Sequence, residues 1–280
     1  MSIWVHTLVK NEERYIWYAL RSVVDFVDKM LIWDTGSSDA TEAIIKEFKK
    51  IYPKKVDFRQ VGEVNAESYT KVRQKMLDET RSDWIMILDG DEVWWDGSVA
   101  EVAGLIKERG GGLESIVTKY LTPVGDIFHY QPETAGRYKI DDKTGHLTIR
   151  FINRGIPGLY TAKPHGQHGY FDKNGLLIQD RDSKKRVHVG SFSFMHFTHM
   201  IRSTNLILDK KVIKREFKYK YELGRRFPND FYYPEVFFKK KPPLVKSPWQ
   251  RASGVEFARS LFFTAPKIIK RRLIRGESGY

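Results

Sequence analysis

The apolar run Trp84-Ile85-Met86-Ile87-Leu88 is followed at once by Asp89-Gly90-Asp91-Glu92. If extended backbone continues through this turn, the period of two sends the Asp89 and Asp91 carboxylates to the same side, and Gly90 leaves room for a ligand near the backbone. Two hard oxygen donors side by side suit Mg²⁺ or Mn²⁺, which keeps its other positions for water and substrate phosphates. The implied ligand is a metal-bound phosphate. Taken alone, an Asp-Gly-Asp turn after a strand is more often simply solvated. An EF-hand is excluded because Trp94 stands where that loop needs glycine, and the chain contains neither a P-loop nor a GxGxxG motif.

The elements that must position these carboxylates are legible upstream. Ile3 to Val9 reads as a strand and Glu12 to Val24 as a helix, with Ile16, Ala19, Leu20, Val23 and Val24 at helical spacing. Lys29 to Trp33 is a second strand. Asp39 to Phe48 is a second helix, with Ser38 or Asp39 available as its N-cap. Val56 to Val61, Ala66 to Glu79 and Trp84 to Leu88 continue as strand, helix and strand. Strands of unbroken apolar character separated by helices predict an α/β fold with a parallel sheet covered on both faces. Ligands of such sheets bind beyond the carboxyl ends of the strands. Three polar clusters fall there: Lys10-Asn11-Glu12, Asp34 to Asp39, and Asp89 to Glu92.

Composition bounds the rest. A chain of 280 residues with 41% hydrophobic residues can fill a sizeable core, and it has no cysteine for thiolate chemistry or disulfides. Neither an apolar run of membrane-spanning length nor a secretory leader is readable, which predicts a cytoplasmic protein. The net charge of +13 is confined to residues 210–280, which hold 19 Lys and Arg against 6 Asp and Glu, while residues 1–209 hold 29 of each. The C-terminal part therefore expects an anionic partner.

Taken together, "LVKNEERYIWYALRSVVDFVDKMLIWDTGSSDAT" and "VRQKMLDETRSDWIMILDGDE" resemble the N-terminal half of family 2 glycosyltransferases. The order of KNE, DTGSSD and a DxD-type motif is specific where each part alone is weak. The resemblance implies a GT-A fold with a Rossmann-like, mostly parallel central sheet, and a metal-dependent, inverting transfer of a sugar from a nucleotide-sugar, UDP-hexose by family habit, to a hydroxyl of a glycan or lipid-linked glycan. It divides the chain into a catalytic domain over residues 1–225, with a nucleotide-sugar half (1–96) and an acceptor half (97–225), followed by a basic extension (226–280). It implies that Thr7, Asn11, Glu12 and Asp34 line the nucleotide end. Arg73 and Asp89 would lie near the donor, and Asp89, Asp91 and His196 would hold Mn²⁺ or Mg²⁺. Arg73 by itself reads equally well as a solvated face residue of its helix.

The acceptor side is less legible. "IRFINRGIPGLYTAKPHGQHGYF" resembles the family segment in which an arginine-bearing strand leads to a His-Glu pair, yet Gly166 follows His165 where relatives carry Glu. His165, His168, Glu133, Asp141 and Asp142 all remain eligible bases, with His165 and Asp142 ranked first. In "FSFMHFTHM", His196 matches the family's metal histidine better than His199 does, although a histidine in an apolar run is more often a core residue. Zinc held by His165, His168, His196 and His199 is disfavoured without cysteine. Leu206 to Leu223 reads as a basic helix closed by Gly224. Val255 to Arg275, amphipathic and basic with a kink or break at Pro266, reads as an anchor on an anionic membrane surface at its inner face, or equally as a solvated terminal helix. No nucleic-acid-binding signature accompanies the charge, so no nucleic acid is expected. A non-catalytic relative that binds nucleotide-sugar or an anionic polymer is the alternative to the enzyme.

Overall fold

The computed structural model describes residues 1–273, with side chains described through residue 269. Strands β1 (Ile3–Val9), β2 (Lys29–Asp34), β3 (Val56–Gln60) and β4 (Trp84–Ile87) alternate with helices α1 (Ile16–Val23), α2 (Thr41–Ile51) and α3 (Ala66–Glu79). These strands pair in parallel in the order β3-β2-β1-β4, and β1 and β2 are buried along nearly their whole length. Helix α3 starts where Asn65 accepts the Glu67 and Ser68 amides while Ser68 returns a bond to the Asn65 amide, a full capping box. Helix α1 begins at Ile16 rather than Glu12, because the preceding residues are drawn into the loop that carries Asn11 at a left-handed φ of 53°.

The second half adds β5 (Glu92–Trp94), α4 (Asp96–Arg109), β6 (Ser115–Leu121), β7 (Pro123–Val124), β8 (Asp126–Tyr130), β9 (Tyr138–Ile140), β10 (Lys143–Gly145), β11 (Leu147–Asn153), β12 (Tyr160–Ala162), β13 (Gly169–Phe171), β14 (Arg186–His196), α5 (Leu206–Lys210), β15 (Arg225–Arg226) and α6 (Gly254–Leu273). The central sheet has eight strands in the order β3-β2-β1-β4-β11-β6-β14-β5. It is mixed beyond β4: β11 runs antiparallel between β4 and β6, and β14 is parallel to β6 but antiparallel to β5. This arrangement brings Arg150 of β11 to the end of β4 and sets His196 opposite Glu92.

One large core runs from β1 through the second half, with Trp94 stacked on Phe194 at a centroid distance of 4.7 Å. It continues past residue 225, since Phe227, Val236, Phe237 and Val245 are buried in it. The expected extension is thus packed into the main body at least that far. The expected basic helix over Leu206–Leu223 is corrected to one short helix, α5, followed by a left-handed Lys214 and a 3₁₀ turn at Arg215–Phe217. The segment lacks a continuous apolar stripe, and Arg215 turns inward to Glu12 and Asp209 instead, so tertiary contacts override helix propensity. Helix α6 runs through Pro266 without a break, and Ile274 and Arg275 of the predicted anchor lie outside the described residues.

Candidate functional site

A cavity of about 520 Å³ opens at the carboxyl ends of β1, β2 and β4. Its lining includes Lys10 and Glu12 after β1, Thr35 and Gly36 after β2, and Asp89, Gly90 and Asp91 after β4. The chain following β14 roofs it with Arg202, Lys211, Arg215 and Lys218. This roof is fastened to the β1 loop: Arg215 donates to the Lys10 carbonyl at 2.8 Å and the Asn11 carbonyl at 2.6 Å, and Arg14 donates to the Ser203 carbonyl at 2.7 Å. Asp209 accepts the Arg202 amide at 3.0 Å, fixing the roof's own turn.

Below the roof the acidic turn is held by arginines. Arg150 donates to Asp89 at 3.0 Å and pairs with buried Glu92. Arg73 stands 3.5 Å from the other Asp89 oxygen. Burial would raise the Asp89 carboxyl, but Arg150 and Arg73 overcome it and hold it at about 2. Burial likewise opposes ionisation of Asp91, and Arg202 and His196 overcome it, keeping that group well below its ordinary value. Glu92 is pushed the other way by burial, only partly offset by Arg150. Glu12, buried beside Arg202 and Arg215, is raised to about 8 for the same reason.

The residues fit a divalent cation. Ligand atoms of Asp89, Glu92 and His196 lie within 4.8 Å of one another. Asp91 Oδ2 is ion-paired to Arg202 and lies 3.4 Å from His196 Nε2, while its buried Oδ1 has no hydrogen-bond partner among the described residues. Carboxylate and imidazole donors of this kind suit Mn²⁺ or Mg²⁺. Sequence reasoning placed Asp89, Asp91 and His196 here but missed Glu92, Arg150, Arg202 and Arg215. Only Glu92 carried a local signal, as the next residue of the same turn.

The nucleotide-end residues divide. Glu12 lines the cleft, whereas Thr7, Asn11 and Asp34 do not. Thr7 is fully buried, one residue short of Leu8, where the lining begins. Asn11 is structural, accepting the Ser38 amide at 2.7 Å and donating to the Leu208 carbonyl at 3.3 Å. Both Asp34 oxygens are taken by Ser37, whose amide donates at 3.0 and 3.1 Å and whose hydroxyl donates at 2.7 Å, so DTGSSD closes on itself as an Asx turn and leaves Thr35 and Gly36 to face the cavity. Gly90 also departs from expectation. A Cβ there would meet Glu12 Cγ at 2.8 Å, so its bareness serves the packing of Glu12.

Arg73 is buried and faces Asp89, with its guanidinium bonded by the Tyr69 hydroxyl at 3.0 and 3.2 Å; it is no solvated face residue. His165 lines both this cleft and a second cavity of about 350 Å³ that shares Tyr69, Asp89 and Lys218 with it. Burial, with Lys218 and Lys214 adding to it, lowers His165 to about 4. Asp142 sits exposed in the turn between β9 and β10 and lines neither cavity, because that hairpin's own pairing points the turn outward.

The chain can be compared with known proteins on this geometry. S. aureus TarS residues 1–349, solved in complex with UDP-GlcNAc, is 14% identical with a TM-score of 0.48, covering 70% of this chain and 58% of that one. Glucosyl-3-phosphoglycerate synthase from Mycobacterium tuberculosis, solved with Mg²⁺ and UDP, is 19% identical with a TM-score of 0.39, covering 58% of this chain and 60% of that one. A TPR repeat-containing protein of Synechococcus elongatus is 31% identical over 85 residues, 30% of this chain; the chain thus spans about a fifth of that relative, 19% of its length. The family model described as glycosyl transferase family 2 matches residues 4–159, from the start of β1 through the loop after β11. The strand-helix half that ends in the acidic turn, and the arginine strand that braces it, are thereby accounted for: the chain belongs to glycosyl transferase family 2.

Proposed function

We propose that the protein is a metal-dependent, inverting glycosyltransferase that moves a hexose from a nucleotide-sugar, UDP-hexose in the first instance, to a hydroxyl of a glycan or lipid-linked glycan. The observation that carries this reading is the meeting of Asp89 and Asp91 with His196 in a cleft roofed by cations. Asp89, Asp91, Glu92 and His196 would hold Mn²⁺ or Mg²⁺. When bound, the ion supplies neutralisation of the charge on the departing diphosphate. Lys10, Lys211, Arg215 and Lys218 supply further positive charge around the same cleft. The acceptor hydroxyl oxygen bonds to the anomeric carbon from the face opposite the leaving group, the bond from that carbon to the diphosphate breaks, and its electron pair leaves with the nucleoside diphosphate. The hydroxyl proton passes to His165, whose Nδ1 has no partner among the described residues. A base held near 4 takes that proton late, as the new bond makes the hydroxyl acidic.

Thermal denaturation against a panel of nucleotide-sugars, each with Mn²⁺, Mg²⁺ or EDTA, tests the reading, because a ligand of the folded state raises the midpoint. One donor should shift the midpoint only with metal, and Asp91→Ala should abolish both that shift and transfer. Full activity of Asp91→Ala would remove the metal from the mechanism.

A second reading, a non-catalytic binder of nucleotide-sugar or anionic polymer, is favoured by one position. Gly166 stands where relatives carry Glu, and its φ of +94° is a backbone conformation that strains any side chain placed there. Sustained turnover with any acceptor excludes this reading. The protein is also read as peripheral at an anionic membrane surface. Among the described residues no helix is long and apolar enough to cross a membrane, but α6 leaves Phe257, Leu261, Phe262 and Ile269 exposed beside Arg259 and Lys267.

A further inference from the structure

The second cavity differs in chemistry from the cleft it joins. Ile87, Ile140, Leu147, Ile149, Ile152 and Leu177 give it an apolar wall. Its charged lining consists of Arg73, Lys139, Arg150, Lys214 and Lys218 against the single carboxylate of Asp89, which is already paired with Arg73 and Arg150. Tyr170 also lines it: the residue is 5% exposed, and its buried hydroxyl has no hydrogen-bond partner among the described residues. A buried hydroxyl without a partner is costly unless a ligand completes it. An apolar wall, a lining with more cationic than anionic side chains and an orphan hydroxyl together describe a pocket for an amphipathic anion.

Resting on the transferase reading above, we propose that this cavity seats the acceptor, and that the acceptor is a hydroxyl compound carrying a phosphate group and an apolar part. Because the cavity shares Asp89, Tyr69 and His165 with the donor cleft, an acceptor seated there presents its hydroxyl at the junction, where the anomeric carbon and the base meet. The phosphate lies toward Lys139 and Lys214, and the apolar part lies along the isoleucine wall.

The test is calorimetric titration of the full chain, saturated with UDP and Mn²⁺, with two probes: 4-hydroxyphenyl phosphate as a water-borne acceptor and lysophosphatidic acid as a lipid one. Hydroquinone, monoolein and inorganic phosphate are the controls. At least one phosphorylated probe should bind and all three controls should bind at least about tenfold more weakly; which probe binds identifies the source. The exposed charges are reversed in Lys139→Glu/Lys214→Glu, which should weaken that probe about tenfold or more while UDP binding with Mn²⁺ is kept. Tyr170→Phe should weaken it with the wall intact. Binding of UDP with neither probe bound, or a neutral control bound as tightly, overturns the proposal. Inorganic phosphate bound as tightly as the probes removes its apolar part. Probe binding without any UDP binding would instead overturn the transferase reading and leave an amphipathic-anion pocket.

Discussion

Arg202 Nη1 stands 2.6 Å from Asp91 Oδ2, deep under the roof, and 3.2 Å from Glu12 Oε1. A guanidinium thus bridges two buried carboxylates at the point where a divalent cation is proposed to bind. Removing it in Arg202→Gln leaves Asp91 with only His196 beside it and Glu12 with only Arg215, which should cost about 3–5 kcal/mol of stability measured in urea with EDTA. Mn²⁺ should restore part of that loss, so the metal-induced rise in midpoint should exceed the wild-type rise. Equal rises in the two proteins would mean that Arg202 and the metal act on separate charges.

Gly90→Ala tests the packing account of the acidic turn. The new methyl meets Glu12 at 2.8 Å and Ile16 at 3.3 Å, and overpacking of a buried site costs about 1–3 kcal/mol. Denaturant unfolding should show that loss. An unchanged midpoint would return Gly90 to the role of leaving space for a ligand.

Acid sensitivity should arise in part from His6. Burial, reinforced by Arg73, lowers this fully buried imidazole from 6.5 to about 3, and its Nε2 lies 2.6 Å from the Thr80 hydroxyl. Between those values the folded chain binds fewer protons than the unfolded one. Its stability contribution is therefore full above pH 6.5 and is lost as the pH falls toward 3. Glu12, raised to about 8, acts in the opposite direction between 4.5 and 8, so the comparison must be with a variant. His6→Gln should lose about 2 kcal/mol less than wild type between pH 7 and pH 5. Parallel pH curves for the two proteins would exclude the assignment.

Helix α6 offers a membrane test independent of chemistry. Phe262 is 77% exposed and Ile269 is 56% exposed on a segment rich in Lys and Arg. Sedimentation with vesicles containing phosphatidylserine should be strong at low salt and weak with neutral vesicles. Phe262→Asp/Ile269→Asp should reduce it several-fold. Retained binding in that variant would confine the interaction to charge alone.

Much of the first half was legible because local rules and the final structure agree there. Helix α3 has the predicted limits, and its capping box at Asn65 and Ser68 is a local device. The site was only half legible, because its braces come from far along the chain. Asp89, Asp91 and Arg73 stand out in sequence, but Arg150 and Arg202, which also set the ionisation of the two carboxylates, arrive from β11 and from beyond β14, and no spacing rule links them. Asp34 is the converse case: its partner, Ser37, lies only three residues on, in an Asx turn.

The roof's fastening has a consequence for the order in which a newly made chain acquires its parts. Arg215 reaches back to the carbonyls of Lys10 and Asn11, and the sheet's last strand, β5, pairs only with β14. The four parallel strands can assemble as soon as they leave the ribosome, but the cleft cannot close until some two hundred residues have been synthesised. A nascent chain therefore carries its acidic turn uncovered until the roof residues from Arg202 to Lys218 have emerged, more than a hundred residues later.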